Sequence, residues 1–279
     1  MISKLKVLTA NAHRITTKFK VLEFLDLLRE KNPTVAYIQE IGTRMAVQVF
    51  APHYEIFVNM DEETMGVEGI GIATIIKKGI PIKDFILGGE GRTIGIKTKE
   101  VQFWNIYPKS GSEHKKWREK YFREDLPDMM TAWKDHTRWI NQGGDFNCTH
   151  RLTDSQNNQN QKLQKGLQEH MKVWCLKDDY VRLNGDKISY SRITDRSKTR
   201  IDMIHSNMDK LLTFEYWDPG LPSYDHLFGI SEYEIDIEVI REDIPKARKY
   251  NGWAFPKELE EDGEFLNRAK DICLSLIHI

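Results

Sequence analysis

Hydrophobic and polar positions along this chain fall into short runs whose period switches between two and about 3.6 residues. KVLTAN (residues 6–11) alternates and is rich in β-formers, which predicts a strand ending near Asn11. KFKVLEFLDLLREKNP follows with Val21, Leu22, Leu25 and Leu28 at helical spacing, and Pro33 ends it. VAYIQE predicts a short buried strand ending at Glu40, and TRMAVQVF a short helix. YEIFVNM, GIGIATIIKK, RTIGIKT and VQFWNIY read as strands, the last two joined by a tight KTKEV connection. EHKKWREKYFREDLPDMMTAWKDHTRWI is a helical stretch with a break expected at Pro127. INQGGDFN is a strand, DSQNNQNQK (154–162) a polar loop and GLQEHMKVWCL a helix. ISYSRI and TRIDMIHS are two strands joined by the polar TDRSK, and FEYWD and HLFGISEYEI are two more. Strands and helices alternate over residues 5–240 with neither a long linker nor an internal repeat, which predicts one α/β domain.

The pattern changes after residue 240. Residues 241–273 carry no strand pattern and read as a linker followed by an amphipathic helix. The last six residues, LSLIHI, are the conceptual translation of CTGTCTCTTATACACATC, which resembles a transposase mosaic-end sequencing adapter. We read Leu274–Ile279 as adapter-derived, with the natural chain expected to continue past Cys273.

Composition narrows the classes. The chain has 279 residues, 40% of them hydrophobic and 30% charged, with a formal net charge of -1. That balance suits a folded domain and argues against both a disordered chain and a globally basic nucleic-acid binder. Any polyanion must therefore be met by local positive charge. Cys148, Cys175 and Cys273 are too few and too scattered for a disulfide framework or a zinc site, so a reducing intracellular compartment is expected. No apolar run reaches membrane-spanning length, and MISKLKVLTAN is too short and polar for a signal peptide.

The chemistry gathers at strand ends. In chain order these offer Asn11, Glu40, Tyr107, Asp145 with Asn147, Ser189, Asp202, and Asp225 with His226. In an α/β fold such ends can converge on one face. A set rich in carboxylates, with amides, one phenol and one histidine, suits Mg²⁺ or Mn²⁺ better than zinc. In GGDFN (143–147), alternation places Asp145 and Asn147 on one face, and Gly143 and Gly144 permit close approach by backbone or ligand. An acid that positions water and an amide that donates to an oxyanion suit displacement at phosphorus. Each residue taken singly has a plainer reading. Asp and Asn favour turns, a tyrosine in WNIYP is commonly a half-buried aromatic, and Asp202 could pair with Arg200 or Arg192.

Order and spacing together carry more. QE (39–40), NIYP (105–108), GGDFN (143–147), RID (200–202) and SYDH (223–226) resemble the exonuclease–endonuclease–phosphatase superfamily. Within it, GGDFN, the RID strand and the spacing resemble the apurinic-like endonuclease domain of LINE (non-LTR) retrotransposons over about residues 4–236. WAFPKELEEDGEFLNRAKDI is similar to the segment that joins such endonucleases to a reverse transcriptase. The resemblance implies a four-layer α/β sandwich of two mainly antiparallel, mixed sheets flanked by helices. It implies a domain over 1–240, a linker and helix over 241–273 leading toward a reverse transcriptase, and residues 274–279 outside both. It also implies an Mg²⁺-dependent endonuclease, with Mn²⁺ as a substitute, that nicks one strand of double-stranded DNA to leave a 3′-hydroxyl primer. Nuclear action and no membrane partner follow from the same likeness.

The roles it implies are these. Asn11 and Glu40 hold or support the metal, and Asp225 supports it from the other side. Tyr107 and Asn147 contact the scissile phosphate. Asp145 positions the water or handles the leaving-group proton, Asp202 orients His226, and His226 is base or phosphate clamp. Ser189, just before an aromatic, matches the family's hydrogen-bonding Ser/Thr. Two departures stand out. NAHR places His13 and Arg14 where a small loop is expected, and Tyr224 stands where serine often precedes Asp-His, so a substrate contact from its hydroxyl is expected instead. For DNA contacts, EHKKWREKYFR reads as an amphipathic helix with Trp117, Tyr121 and Phe122 inward and its lysines solvated. TDRSKTR (194–200), carrying Arg196, Lys198 and Arg200, is the expected groove-probing loop. The competing readings are an abasic-site repair endonuclease, a phosphodiesterase for small phosphate esters, and a catalytically decayed nucleic-acid-binding module.

Overall fold

The structure is a computed structural model, and it describes residues 2–15, 17–42, 44–61, 71–134, 138–156, 163–220 and 224–238. The linker and helix expected over 241–273, the adapter-like Leu274–Ile279 and residues 157–162 of the polar loop lie outside the described residues.

Two six-stranded sheets stack face to face. The first is built from β1 (Ile2–Ile15), β2 (Val35–Ile41), β3 (Tyr54–Met60), β4 (Gly71–Lys77), β13 (Leu211–Trp217) and β14 (Phe228–Ile237), in the order β13-β14-β1-β2-β4-β3. The second is built from β5 (Asp84–Gly88), β6 (Thr93–Lys97), β7 (Val101–Ile106), β8 (Trp139–Asp145), β9 (Lys177–Asp178) and β12 (Asp202–Ser206), in the order β5-β6-β7-β8-β12-β9. A small hairpin of β10 (Arg192–Ile193) and β11 (Lys198–Thr199) stands apart from both. In each sheet only the central pair is parallel, β1 with β2 and β7 with β8. A parallel pair needs a crossover, and helices supply it: Lys18–Lys31 between β1 and β2, and the segments Lys115–Lys120 and Leu126–Thr131 between β7 and β8.

Alternation along the strands builds three apolar layers. Leu5, Val7, Val35, Tyr37 and Ile72 of the first sheet meet Ile94, Ile96, Phe103 and Ile204 of the second. Leu8, Ala10, Ala36 and Ile38 face the other way and pack under Phe24, Leu25 and Leu28 of the Lys18–Lys31 helix. Trp104, Ile140 and Met203 face outward from the second sheet onto Tyr121, Phe122, Leu126 and Leu167. This is the four-layer arrangement expected from the sequence.

Local details refine two expectations. The Lys18–Lys31 helix is capped by the Thr17 hydroxyl, which accepts from Lys20 N, and ends at Asn32 in the left-handed region before Pro33. Its buried face is Val21, Phe24, Leu25 and Leu28, whereas Leu22 is 43% exposed. Pro127 does not break the second crossover. A wide π turn over Tyr121–Asp125 precedes it, and Pro127 is accommodated within continuous helical backbone just after that turn, Asp125 and Leu126 both being helical. Tyr121 and Phe122 are fully buried, as the amphipathic reading requires.

Candidate active site at the ends of the parallel pairs

Both parallel pairs end at the same place. Asn11 lies on β1, Glu40 on β2, Tyr107 one residue past β7, and Asp145 closes β8. The Asn11 amide ties the two carboxylates together: Nδ2 donates to Glu40 Oε1 and to Asp145 Oδ2, both at 3.1 Å. Its Oδ1 accepts from His13 N at 2.9 Å, so the amide orientation is fixed. The Tyr107 hydroxyl donates to Glu40 Oε1 at 2.8 Å.

Glu40 reaches this cluster by breaking strand alternation. Val35 and Tyr37 face the second sheet, and Gln39 bonds Asn105 there, while Ala36 and Ile38 face the helix layer. Alternation alone would send Glu40 to the helix side. Instead it has φ 57°, and the register of β2 with β4 shifts between Gln39 and Ile41. This bulge swings the carboxylate round to Asn11 and Tyr107. His13 (φ 47°), Arg14 (φ 58°) and Asn147 (φ 50°) share the left-handed region, so backbone strain concentrates at these strand ends.

The two glycines of GGDFN act as spacers. A Cβ on Gly143 would lie 2.6 Å from Cδ2 of Tyr37 in the facing sheet, and one on Gly144 would collide with the Ile106 carbonyl on β7. Their absence lets β8 press against both neighbours and sets Asp145 on the inner face. Asp145 Oδ1 accepts from Asn147 N at 2.9 Å. The Asn147 amide donates to Pro108 O at 2.9 Å, which joins the loop after β7 to the loop after β8.

Asp145 is directly paired with Asp202 in the register of β8 with β12. His226 completes the group: its Nδ1 lies 3.0 and 2.8 Å from the two oxygens of Asp202, which leaves Nε2 toward Asp225 Oδ1 at 3.7 Å. Donor atoms of Asp145, Asp202 and His226 all lie within 4.8 Å of one another. Burial and the facing Asp202 charge push the Asp145 carboxyl up to about 7. Burial works against a charged His226, but the charge and hydrogen bond of Asp202, with Asp145 and Asp225, outweigh it and raise the imidazole to about 9. At neutral pH His226 is an imidazolium held by Asp202.

Several expected residues stand elsewhere. The serine of the site is Ser191, not Ser189. Its buried hydroxyl donates to Asp202 Oδ2 at 2.7 Å and accepts from Ile201 N and Asp202 N, whereas Ser189 is half-buried two positions earlier. Both serines adjoin Tyr190, so proximity to an aromatic could not choose between them. Arg200 is not available to DNA. It is fully buried, forks onto Asp154 at 3.0 and 2.9 Å and reaches Asp178 at 2.7 Å. Arg196 and Lys198 are exposed on the β10–β11 hairpin. Tyr224 packs edge-on against Phe228 in the helix-side layer, and its buried hydroxyl has no hydrogen-bond partner among the described residues, so it is not brought to the Asp145–Asp202–His226 group.

His150, Asp178 and His205 form a second convergent group, with donor atoms within 4.8 Å. Its centre is taken by the Arg200 guanidinium, closer to Asp178 Oδ2 than either histidine, which stand at 3.6 and 3.8 Å. Arg151 and Arg200 balance Asp154 and Asp178, so this is a buried ion-pair network and not a cation site.

Neither a family model nor a curated protein matches the sequence. Solved structures do match. An AP endonuclease from Archaeoglobus fulgidus aligns with TM-score 0.67 and 14% identity, over 83% of this chain and 100% of that one. The 3′–5′ exonuclease NExo from Neisseria meningitidis aligns with TM-score 0.70 and 16% identity, over the same shares. A truncated TDP2 from Caenorhabditis elegans aligns with TM-score 0.61 and 14% identity, over 83% of this chain and 98% of that one. The fold is that of the exonuclease–endonuclease–phosphatase proteins.

Proposed function

We propose that this protein is a magnesium-dependent phosphodiesterase that nicks one strand of duplex DNA and leaves a 3′-hydroxyl. The observation that carries this is the facing pair Asp145 and Asp202 with His226 held on Asp202, next to the Asn11–Glu40–Tyr107 cluster. The structural neighbours support it, among them an AP endonuclease and a NExo 3′ phosphatase bound to product DNA hairpin. The sequence likeness to retrotransposon endonucleases supports the finer reading, in which the nick primes a downstream reverse transcriptase.

The donor set fits a hard cation. Glu40 Oε1 takes both hydrogen bonds of that carboxylate, and Oε2 has no hydrogen-bond partner among the described residues. Glu40 would hold Mg²⁺, with Asn11 fixing its direction and Asp225 supporting from the His226 side. A bound Mg²⁺ supplies positive charge to a phosphate oxygen. The chain's own groups do the rest. Asp145 orients a water and takes its proton, which a carboxyl raised to about 7 can hold. His226 presents Nε2–H to the charge that develops on phosphorus oxygens, while Asp202 and Ser191 keep its ring in place. Tyr107 and Asn147 line the approach from the other side.

Nicking of supercoiled plasmid by the full chain, with Mg²⁺ or EDTA, tests this beside Asp145→Ala and His226→Ala. Open circle should form only with metal, and each variant should lose at least about 100-fold in rate. No nicking by folded wild-type protein would overturn the assignment. Faster cleavage of an abasic duplex than of intact plasmid would redirect it to repair.

A further inference from the structure

Arg192 reads from the sequence only as a structural partner for Asp202, yet it stands in the site. It opens the β10–β11 hairpin, next to Ser191, and its strand is hydrogen-bonded to the catalytic loop on both sides of His226: Ile193 N donates to Asp225 O and Leu227 N to Ser191 O. Arg192 itself forms an isolated bridge with His226. The hairpin and the His226 loop are therefore tied together through the backbone.

The side chain then pairs with Asp225. Arg192 Nε donates to Asp225 Oδ2 at 3.0 Å. Its two terminal amino groups make no hydrogen bond to the described residues, and the side chain is 38% exposed. The charge of Asp225 is thus met by the Arg192 guanidinium, while the backbone bridge of Arg192 to His226 keeps it at the edge of the Asp145–Asp202–His226 group. His13 adds a second basic group, with Nδ1 3.7 Å from the other oxygen of Asp225. A purely structural ion pair would use the planar fork on the carboxylate, as Arg200 does on Asp154. Here only Nε is used, and the terminal amino groups of a partly exposed side chain make no hydrogen bond to the described residues.

We infer that Arg192 is a phosphate-contacting residue of this site, with Asp225 holding its Nε so that its terminal amino groups meet backbone oxygens of the DNA strand being cut. This rests on the nuclease reading above. It assigns Asp225 a second task, that of aiming a guanidinium, alongside its proposed support of the metal.

Binding of a fluorescent duplex to the full chain in EDTA, between about 50 and 200 mM salt, tests it. Arg192→Gln should weaken binding several-fold and make the log–log salt slope shallower by about 0.9, the value for one phosphate no longer neutralised. Arg192→Lys should keep the slope, and Asp225→Asn, which removes a negative charge but keeps an amide oxygen able to accept from Arg192 Nε, should bind at least as tightly as wild type. An unchanged slope in Arg192→Gln, or equal weakening in Arg192→Gln and Asp225→Asn, would overturn the assignment while leaving the nuclease intact. Failure of the wild type to bind duplex at all would overturn the DNA reading and this assignment together.

Discussion

At the scale of single residues, the site depends on groups that hold other groups. Ser191 bonds Asp202 and satisfies two buried backbone N–H groups at once. Ser191→Ala should cost about 1–3 kcal/mol in denaturant melts and lower nicking, whereas Ser189→Ala should change neither. His226 gives a sign that can be checked. Its pKa is raised from the ordinary histidine value to about 9, so the Asp202–His226 interaction adds stability fully present below about pH 6.5. That contribution fades as pH rises through about 9. The His226 ring nitrogens in metal-free protein should accordingly stay in the imidazolium form at pH 7.5 by NMR, and Asp202→Asn should return the titration toward about 6.5. That Asn11, Glu40, Asp145, Asp202 and His226 come together was legible in the sequence because each lies at or near the end of an expected strand. Ser191 and Arg192 were not. They lie at a two-residue strand too short to show alternation, and only tertiary pairing with the His226 loop reveals which way they face.

At the scale of elements, two devices aim the chemistry: the bulge at Glu40 and the glycine pair of β8. Gly143→Ala should destabilise by about 1–3 kcal/mol, because its Cβ must displace the Tyr37 ring that spans the sheets. A thermal melt measures it. The strand runs at 6–11, 35–40 and 101–106 were readable as elements, but the bulge was not. Nothing in VAYIQE marks the last residue as the one that turns. The loop at 194–200 was expected to read DNA with three basic residues, yet Arg200 is folded inward as the counter-charge of Asp154 and Asp178. Arg200→Ala should cost about 3–5 kcal/mol in urea denaturation by leaving two buried carboxylates short of a partner, while Lys198→Ala should leave stability unchanged.

At the scale of the whole molecule, the second sheet carries a polar layer on its outer face. Gln142 bridges His170 and His205 there. Burial lowers His170 to about 3. A neutral folded histidine binds fewer protons than the unfolded one between about pH 3 and 6.5, so its contribution to stability falls as pH falls through that window. Asp145 and Asp179, both raised to about 7 by burial, work in the opposite direction. The readable quantity is therefore the difference between wild type and His170→Gln in urea. The variant should gain on wild type by about 1.4 kcal/mol per pH unit below 6.5, roughly 2 kcal/mol at pH 5. The layered architecture followed from the alternating runs and their resemblance. The ion-pair layer did not, since its members come from four separate segments. The place of β1 has a consequence for synthesis. One of its neighbours, β2, follows within a few dozen residues, but the other, β14, is made after every other described strand. Until residues 228–237 leave the ribosome, β1 keeps an unpaired edge and His226 has no fixed position. On the proposed function, a growing chain carries most of the candidate site residues without His226 in place, and the strand that closes the first sheet is also the one that completes the site.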